Sequence, residues 1–315
     1  MHITLCANFC AIKQHKSHAI RDPGNDCNRP ALGKLSIFTL SLLARGPLMS
    51  FWTCEQCGAQ FFESVEPPSS CPICEDERQF VNWKGQAWLP REKLAKCHNL
   101  VWRDDLGIPG FGVEPSFAIG QRALLLSEGD GCVMWDCVPL ATDEAVQYVK
   151  SLGGLKAIAV SHPHFYGAVA DWSEAFGGAP IYLHGDDRAF VTRPHPAIVP
   201  WSGETLKLSD DIMLVRTGGH FAGASVLHWR KAASGGGALF TGDIAMVAMD
   251  RRSVSFMYSY PNYIPLNAAA IKRIADAVAP LAFDAIYGAW WGRNIAAGAK
   301  ASFDASVQRY LAAIS

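Results

Sequence analysis

The sequence predicts an α/β layered sandwich, sheets covered by helices, preceded by a small four-cysteine metal knuckle. Three observations carry this. Short apolar runs recur between residues 123 and 287 with few helical stretches among them, a pattern that suits layered sheets under helices. Apolar residues also repeat at helical spacing in two later segments, Ile271, Ile274, Ala275 and Val278, then Phe303, Val307, Tyr310, Leu311 and Ile314. Finally, Cys54/Cys57 and Cys71/Cys74 form two CxxC units. The 315 residues are 50% hydrophobic and 18% charged, enough apolar material for a sizeable core and too much for a disordered chain. A net charge of -1 offers no electrostatic case for nucleic acid or an anionic membrane surface. No run of 18 apolar residues occurs, so no membrane-spanning helix is expected.

In chain order, residues 1–48 carry six Lys/Arg against two acids and no amphipathic repeat. They are expected to be a non-native or disordered extension ahead of a start at Met49. Residues 49–80 form the knuckle, 81–115 read as a Trp-containing connector, and 116–315 as the main domain. Strands are expected at 123–126, 133–136, 157–160, 181–183, 212–215, 225–229, 238–240 and 284–287. Thr142 is the expected N-cap of a helix that buries Val146 and Val149 and ends near Gly153. Ser234-Gly235-Gly236-Gly237 reads as a hairpin turn, because neither a helix nor GK[ST] follows it as a phosphate loop requires.

The knuckle has chemistry of its own. Thirteen residues separate Cys57 from Cys71, and two thiolates on each of two tight turns complete one tetrahedral shell. Cys6, Cys10, Cys27, Cys97, Cys132 and Cys137 show no such spacing. A chain of this size needs no disulfide staples, so a reducing, cytoplasmic setting is expected. The CxxCG…CPxC layout resembles zinc ribbons and the rubredoxin-like domain of rubrerythrins. Zn(II) and a single Fe both remain open at these four ligands. A closed thiolate shell favours a structural role, independent of any second site.

Three segments at strand ends hold a second set of donors. Val160-Ser161-His162-Pro163-His164 places two imidazoles on the same side of an extended loop. Thr217-Gly218-Gly219-His220 puts a third in a glycine-rich turn, and Phe240-Thr241-Gly242-Asp243 ends an apolar strand on a carboxylate. His162, His164, His220 and Asp243 are therefore the candidate metal ligands. Three neutral imidazoles with a water suit catalytic zinc, although Fe or Mn also fits the same donors.

From about Phe117 onward the order HxH…GH…GD resembles the metallo-β-lactamase superfamily. The resemblance implies an αββα sandwich with metal at the strand edges, and it covers Trp135-Asp136 after an early strand. It also exposes departures from the family motif HxHxDH. Tyr166 stands at the aspartate position, Gly167 at the following histidine, and Gly288-Ala289 replaces a Gly-His. The ligands unique to a second metal are absent, so a mononuclear site is expected, with Tyr166 filling second-metal space. Asp243, which bridges two metals in the family, becomes either the fourth ligand or a base.

The expected activity is hydrolysis of an ester, thioester or related bond in a small-molecule substrate by water on the metal. Two alternatives belong to other classes: an iron electron-transfer protein of rubredoxin-like type, and a non-catalytic metal-binding scaffold. Tyr166, Tyr260 and Trp290 are the candidate pocket walls, with Tyr258, Tyr263 and Trp291 as further aromatics. His184 and His228 read as structural, while His195 and Arg293 read as surface residues.

Overall fold

Strict alternation along buried strands sorts this chain into layers. In a computed structural model, residues 49–232 and 235–315 are described; the expected 1–48 extension and Ser234 of the glycine tract lie outside them. The knuckle opens the described chain. Strands β1 (Ser50–Cys54) and β2 (Gln60–Ser64) form an antiparallel hairpin whose turn carries the first cysteine pair. The short helix α1 (Pro72–Glu75) follows Cys71, with Pro72 in its first turn where no amide donor is needed. Strand β3 (Trp88–Pro90) pairs with the other edge of β1, and Phe61 meets Trp88 edge-on at 4.8 Å.

Helix α2 (Arg91–Cys97) leads into β4 (Asn99–Asp105) and β5 (Ile108–Glu114), an antiparallel pair in register from Asn99↔Glu114 to Asp105↔Ile108. The segment expected as a connector thus supplies two full strands of a sheet. Its sequence hides them because β4 is an edge strand with one buried side chain, Leu100, and exposed polar residues around it. Next come β6 (Ala123–Glu128), β7 (Gly131–Trp135), α3 (Asp143–Ser151), β8 (Leu155–Ala159), α4 (Val169–Ala175), β9 (Ile181–His184) and β10 (Ile198–Trp201). Together they build a seven-stranded sheet in the order β10-β9-β8-β7-β6-β5-β4, parallel from β7 to β10.

The second half repeats the plan. Strands β11 (Thr205–Lys207), β12 (Ile212–Arg216), β13 (Ser225–Trp229) and β14 (Ala238–Gly242) are antiparallel neighbours. Trp229 pairs with Ala238, so β13 and β14 form the antiparallel pair expected on either side of the glycine tract. Two small hairpins follow, β15 (Met246–Val247) with β16 (Val254–Ser255) and β17 (Met257–Ser259) with β18 (Ile264–Pro265). Helix α5 (Ala268–Val278), strands β19 (Ala285–Gly288) and β20 (Asn294–Ile295) and helix α6 (Ala299–Ala313) complete the chain. The six-stranded sheet runs β11-β12-β13-β14-β19-β20.

Successive side chains on one strand enter different cores. Leu124, Leu126, Val133 and Trp135 meet Leu214, Leu227, Phe240 and Tyr287 between the sheets. Leu125, Met134 and Ile158 turn the other way, onto Val146, Val149 and Trp172 of α3 and α4. Val215, Val226, Leu239 and Ile286 pack under Ile271, Ile274, Phe303 and Val307 of α5 and α6. The result is helix, sheet, sheet, helix. Because both faces of the central strands are covered, β7, β13, β14 and β19 are buried at every residue and are largely apolar, with Ser225, His228 and Thr241 the polar exceptions.

Candidate metal centre

The loops that leave β8, β12 and β14 meet at one edge of the sandwich. Ser225 N–H donates to Ser161 O at 2.9 Å, which ties the two sheets together there. Residues 163–165 are not extended, as the sequence reading had it, but form a single 3-10 turn with Pro163 at its start. Proline presets the backbone angle of that first position and donates no amide, so the turn costs it no hydrogen bond. The turn still brings the two imidazoles together, with ring centroids 4.9 Å apart.

His162, His164, His220 and Asp243 each offer one donor atom, and these atoms all lie within 4.8 Å of one another. His162 Nε2 stands 3.0 Å from Asp243 Oδ1, and His220 Nε2 stands 3.3 Å from His164 Nδ1. The remaining separations to the Asp243 carboxylate are 3.9 Å for both His164 and His220. Donors bound about 2.1 Å from a shared tetrahedral ion sit roughly 3.4 Å apart, so the set is near the right size. His162 Nε2 and Asp243 Oδ1 are both buried without a hydrogen bond. Polar atoms left that way cost about 1–3 kcal/mol each, and a buried unpaired carboxylate costs several kcal/mol more. A cation at the centre of the four offsets both costs. The residues fit one divalent ion.

Electrostatics agree with the geometry. Burial lowers His162 and takes His220 down to about 3 against the pull of the Asp243 carboxylate, which favours the lone-pair form that a metal needs. Burial would raise Asp243, but the adjacent His162 and His220 hold it well below the usual carboxylate range. His220 is oriented from behind: its Nδ1–H donates to Met257 O at 2.9 Å, leaving the Nε2 lone pair for the centre. His162 Nδ1 faces Ser161 Oγ at 3.1 Å. Asp136, at a left-handed position after β7, accepts from Ser161 N–H at 2.8 Å, and burial pushes its carboxyl up to about 8.

Gly167 explains one departure from the family motif. Its φ is +48°, and a Cβ there would stand 2.7 Å from Val138 O. No histidine fits at this backbone position. The Tyr166 hydroxyl donates to Asp187 O at 3.3 Å, and the ring lines a cavity of about 20 Å³ with Gln60, Val169 and Arg193. Tyr260 borders the centre, its hydroxyl donating to Asp243 O at 2.7 Å and its ring 6.0 Å from His220. Trp290 instead packs behind Phe165 and donates to Ile119 O at 2.8 Å. His184 caps the 3-10 helix 185–190, His195 faces Glu174, and His228 bonds Ala282 O; none is among the four converging donors.

The four cysteines of the knuckle also converge, all buried. Cys54 and Cys74 sulfurs are 3.6 Å apart, and those of Cys57 and Cys71 are 3.7 Å apart. Thiolates about 2.3 Å from a tetrahedral ion lie roughly 3.8 Å apart. The same crowding splits their acidity: hydrogen bonds from its three neighbours hold Cys54 low, while Cys57 and Cys74 are pushed up chiefly by Cys54. Among the described residues, these two sets are the groups of three or more His, Cys, Asp or Glu side chains placed to hold a metal.

Sequence reasoning missed Met257 and Arg78. The Arg78 guanidinium lies 3.8 Å from the Phe221 ring centroid and Nη1–H donates to His220 O at 3.2 Å. No motif marks either residue, since one acts through a backbone carbonyl and the other across 142 positions of sequence.

An αββα sandwich with three imidazoles and a carboxylate gathered at its strand ends is a metallo-β-lactamase fold with a metal-binding group. The crystal structure of VMB-1 superposes with a TM-score of 0.50 at 14% identity, over 69% of this chain and 99% of that one. For the DIM-1 metallo-β-lactamase the TM-score is 0.49 at 13% identity, over 68% and 96%. No family model matches the chain. The chain belongs to the same family as the uncharacterized protein YmaE of Bacillus subtilis (strain 168), to which it is 44% identical over 269 residues, 84% of this chain and 97% of that protein.

Proposed function

We propose that this protein is a metal-dependent hydrolase-like protein with one zinc ion at His162, His164, His220 and Asp243. The observation that carries the reading is the convergence of those four donors within 4.8 Å at the edge where both sheets end. A divalent ion held there supplies a Lewis acid and lowers the pKa of a water towards about 7, which suits attack on an ester, thioester or related bond. His162, His164 and His220 fix its position, and the Met257 carbonyl fixes the tautomer of His220. Asp243 either completes the shell or accepts a proton beside it. A single ion fits because Gly167 and Ala289 offer no donor side chain and Tyr166 turns its hydroxyl to Asp187 O. At the knuckle, zinc in a structural role is the reading that the closed set of four sulfurs supports.

One observation favours a non-catalytic metal site instead: all four donors are buried, the most exposed by only 4%. Metal analysis with an absorption spectrum, followed by assays on ester, thioester, lactam and phosphodiester substrates, separates the readings. Two zinc atoms in a colourless protein, with turnover lost in His164→Ala, is the expected result. Full metal retention in the His164→Ala/His220→Ala variant, after the knuckle's metal is counted, refutes the site. Metal binding without turnover in any panel favours the non-catalytic reading, and visible thiolate-to-iron bands favour electron transfer.

A further inference from the structure

The two histidine-bearing loops, a 3-10 turn and a glycine turn, are each held from outside by the knuckle segment. Residues 218–221 form a glycine turn, with Gly218 and Gly219 both left-handed. Its last residues are fixed by Arg78, four positions after Cys74 in the chain that leaves the knuckle. Arg78 grips Asp76, the residue that ends α1, through two parallel hydrogen bonds to the two carboxylate oxygens. That leaves Nη1–H to donate to His220 O, while the guanidinium plane lies on Phe221. The backbone on either side of Arg78 is pinned as well. Ser259 Oγ–H donates to Arg78 O at 3.2 Å, and Asn262 Nδ2 donates to both Glu77 O and Gln79 O at 3.0 Å. The same hairpin supplies Met257 O to His220, so ring and backbone of this ligand are set by one assembly.

The HxH loop is held at a second point. Gln60 N–H, on β2, donates to Gly167 O at 3.1 Å, three residues beyond His164. Gln60 is itself buried, donating to Asp171 at 2.8 Å and accepting from Arg193, while Thr192 donates to Gln60 O at 2.8 Å. The expectation of two independent metal sites did not anticipate this bracing.

We propose that the four-cysteine knuckle is a clamp that sets the metal affinity of the histidine centre, with Arg78 as the positioning residue that acts on His220. The proposal rests on the metal reading given above. Holding a glycine-rich turn in its ligating geometry before the ion arrives removes an ordering cost from binding. Asp76 and Arg78 lie two and four positions after Cys74, so a metal held by the knuckle would fix where this grip starts.

The test uses the full chain with zinc in the knuckle and Co(II) titrated into the histidine centre. Ligand-field bands report the histidine site, and thiolate-to-cobalt bands report any exchange at the knuckle. Arg78→Ala is expected to weaken Co(II) binding at the histidine centre at least tenfold and to alter the ligand-field bands, with knuckle zinc retained. Arg78→Lys, which keeps a cation on Phe221 and one donor for His220 O, is expected to recover most of the loss. Cys54→Ser/Cys71→Ser is expected to weaken the same binding, and adding Arg78→Ala to it is expected to weaken it little further. Unchanged affinity and bands in Arg78→Ala overturn the proposal while leaving the histidine site in place. A loss in Arg78→Ala that Arg78→Lys fails to recover overturns the positioning role. A wild-type protein that takes up no Co(II) outside the knuckle overturns both the metal reading and the proposal.

Discussion

Asp187 shows how one buried carboxyl makes this protein sensitive to pH away from its metal ligands. It is buried, its Oδ1 accepts from Gly223 N–H at 2.8 Å and its Oδ2 has no hydrogen-bond partner. Burial pushes its pKa up to about 6, against about 3.9 in an unfolded chain. The folded state therefore holds this proton more tightly. Its contribution is complete below about pH 4 and is lost as pH rises through 6, a difference of about 3 kcal/mol by pH 7. Asp187→Asn removes that dependence. Melting curves of the two proteins between pH 5 and 8 are expected to diverge in favour of the variant above pH 6; parallel curves contradict the assignment. At Gly167 the backbone decides the chemistry. Gly167→His is expected to lose roughly 2–4 kcal/mol, from left-handed strain and the clash with Val138 O, and to gain no second metal equivalent. Denaturation and metal counting on the same sample check both outcomes.

Among the elements, α3 has the most local specification. Thr142 Oγ1 accepts from Ala145 N–H at 3.3 Å, Asp143 and Glu144 lie in the first turn, and Val146 and Val149 face the sheet. Thr142→Ala is expected to cost about 1 kcal/mol, seen as a lower urea midpoint with the slope unchanged. Strand β14 is the opposite case, specified from both sides by packing. Phe240 points between the sheets and stacks on Tyr287 at 4.8 Å, whereas Leu239 points under α5 and α6. Phe240→Ala is expected to cost about 3–5 kcal/mol, and through Asp243, three residues on, to reduce metal occupancy at the histidine centre as well. Equilibrium unfolding with metal analysis tests the pair of effects.

At the scale of the molecule, the knuckle and the sandwich share one hydrophobic core. Cys54, Phe61, Ile73 and Leu94 belong to the same buried cluster as Leu125, Ile158 and Trp172. No described helix is long and apolar enough to cross a membrane. Cys54→Ser/Cys71→Ser is expected to remove one metal equivalent and to speed amide exchange over 50–64, and over 162–167 where Gln60 holds the Gly167 carbonyl. Exchange that quickened in the knuckle alone would mean the two parts are not mechanically joined.

The sequence by itself determined the donors and the layers. CxxC pairs, HxH, GGH and GD are local patterns whose residue types already state their chemistry, and continuous apolar runs announce strands covered on both faces. Only the tertiary structure decided how these parts meet. Edge strand β4 lacks a buried face to advertise it, and the 3-10 turn at Pro163 replaced an extended loop without changing which imidazoles converge. Gly167 shows as a missing histidine in sequence, but the reason, a left-handed backbone pressed on Val138 O, exists only in the fold. Arg78 and Met257 reach His220 through backbone carbonyls, and a carbonyl carries no residue identity for a sequence to display. Local chemistry is written in side chains, whereas the contacts that orient it depend on which distant segments the packing of the cores brings together.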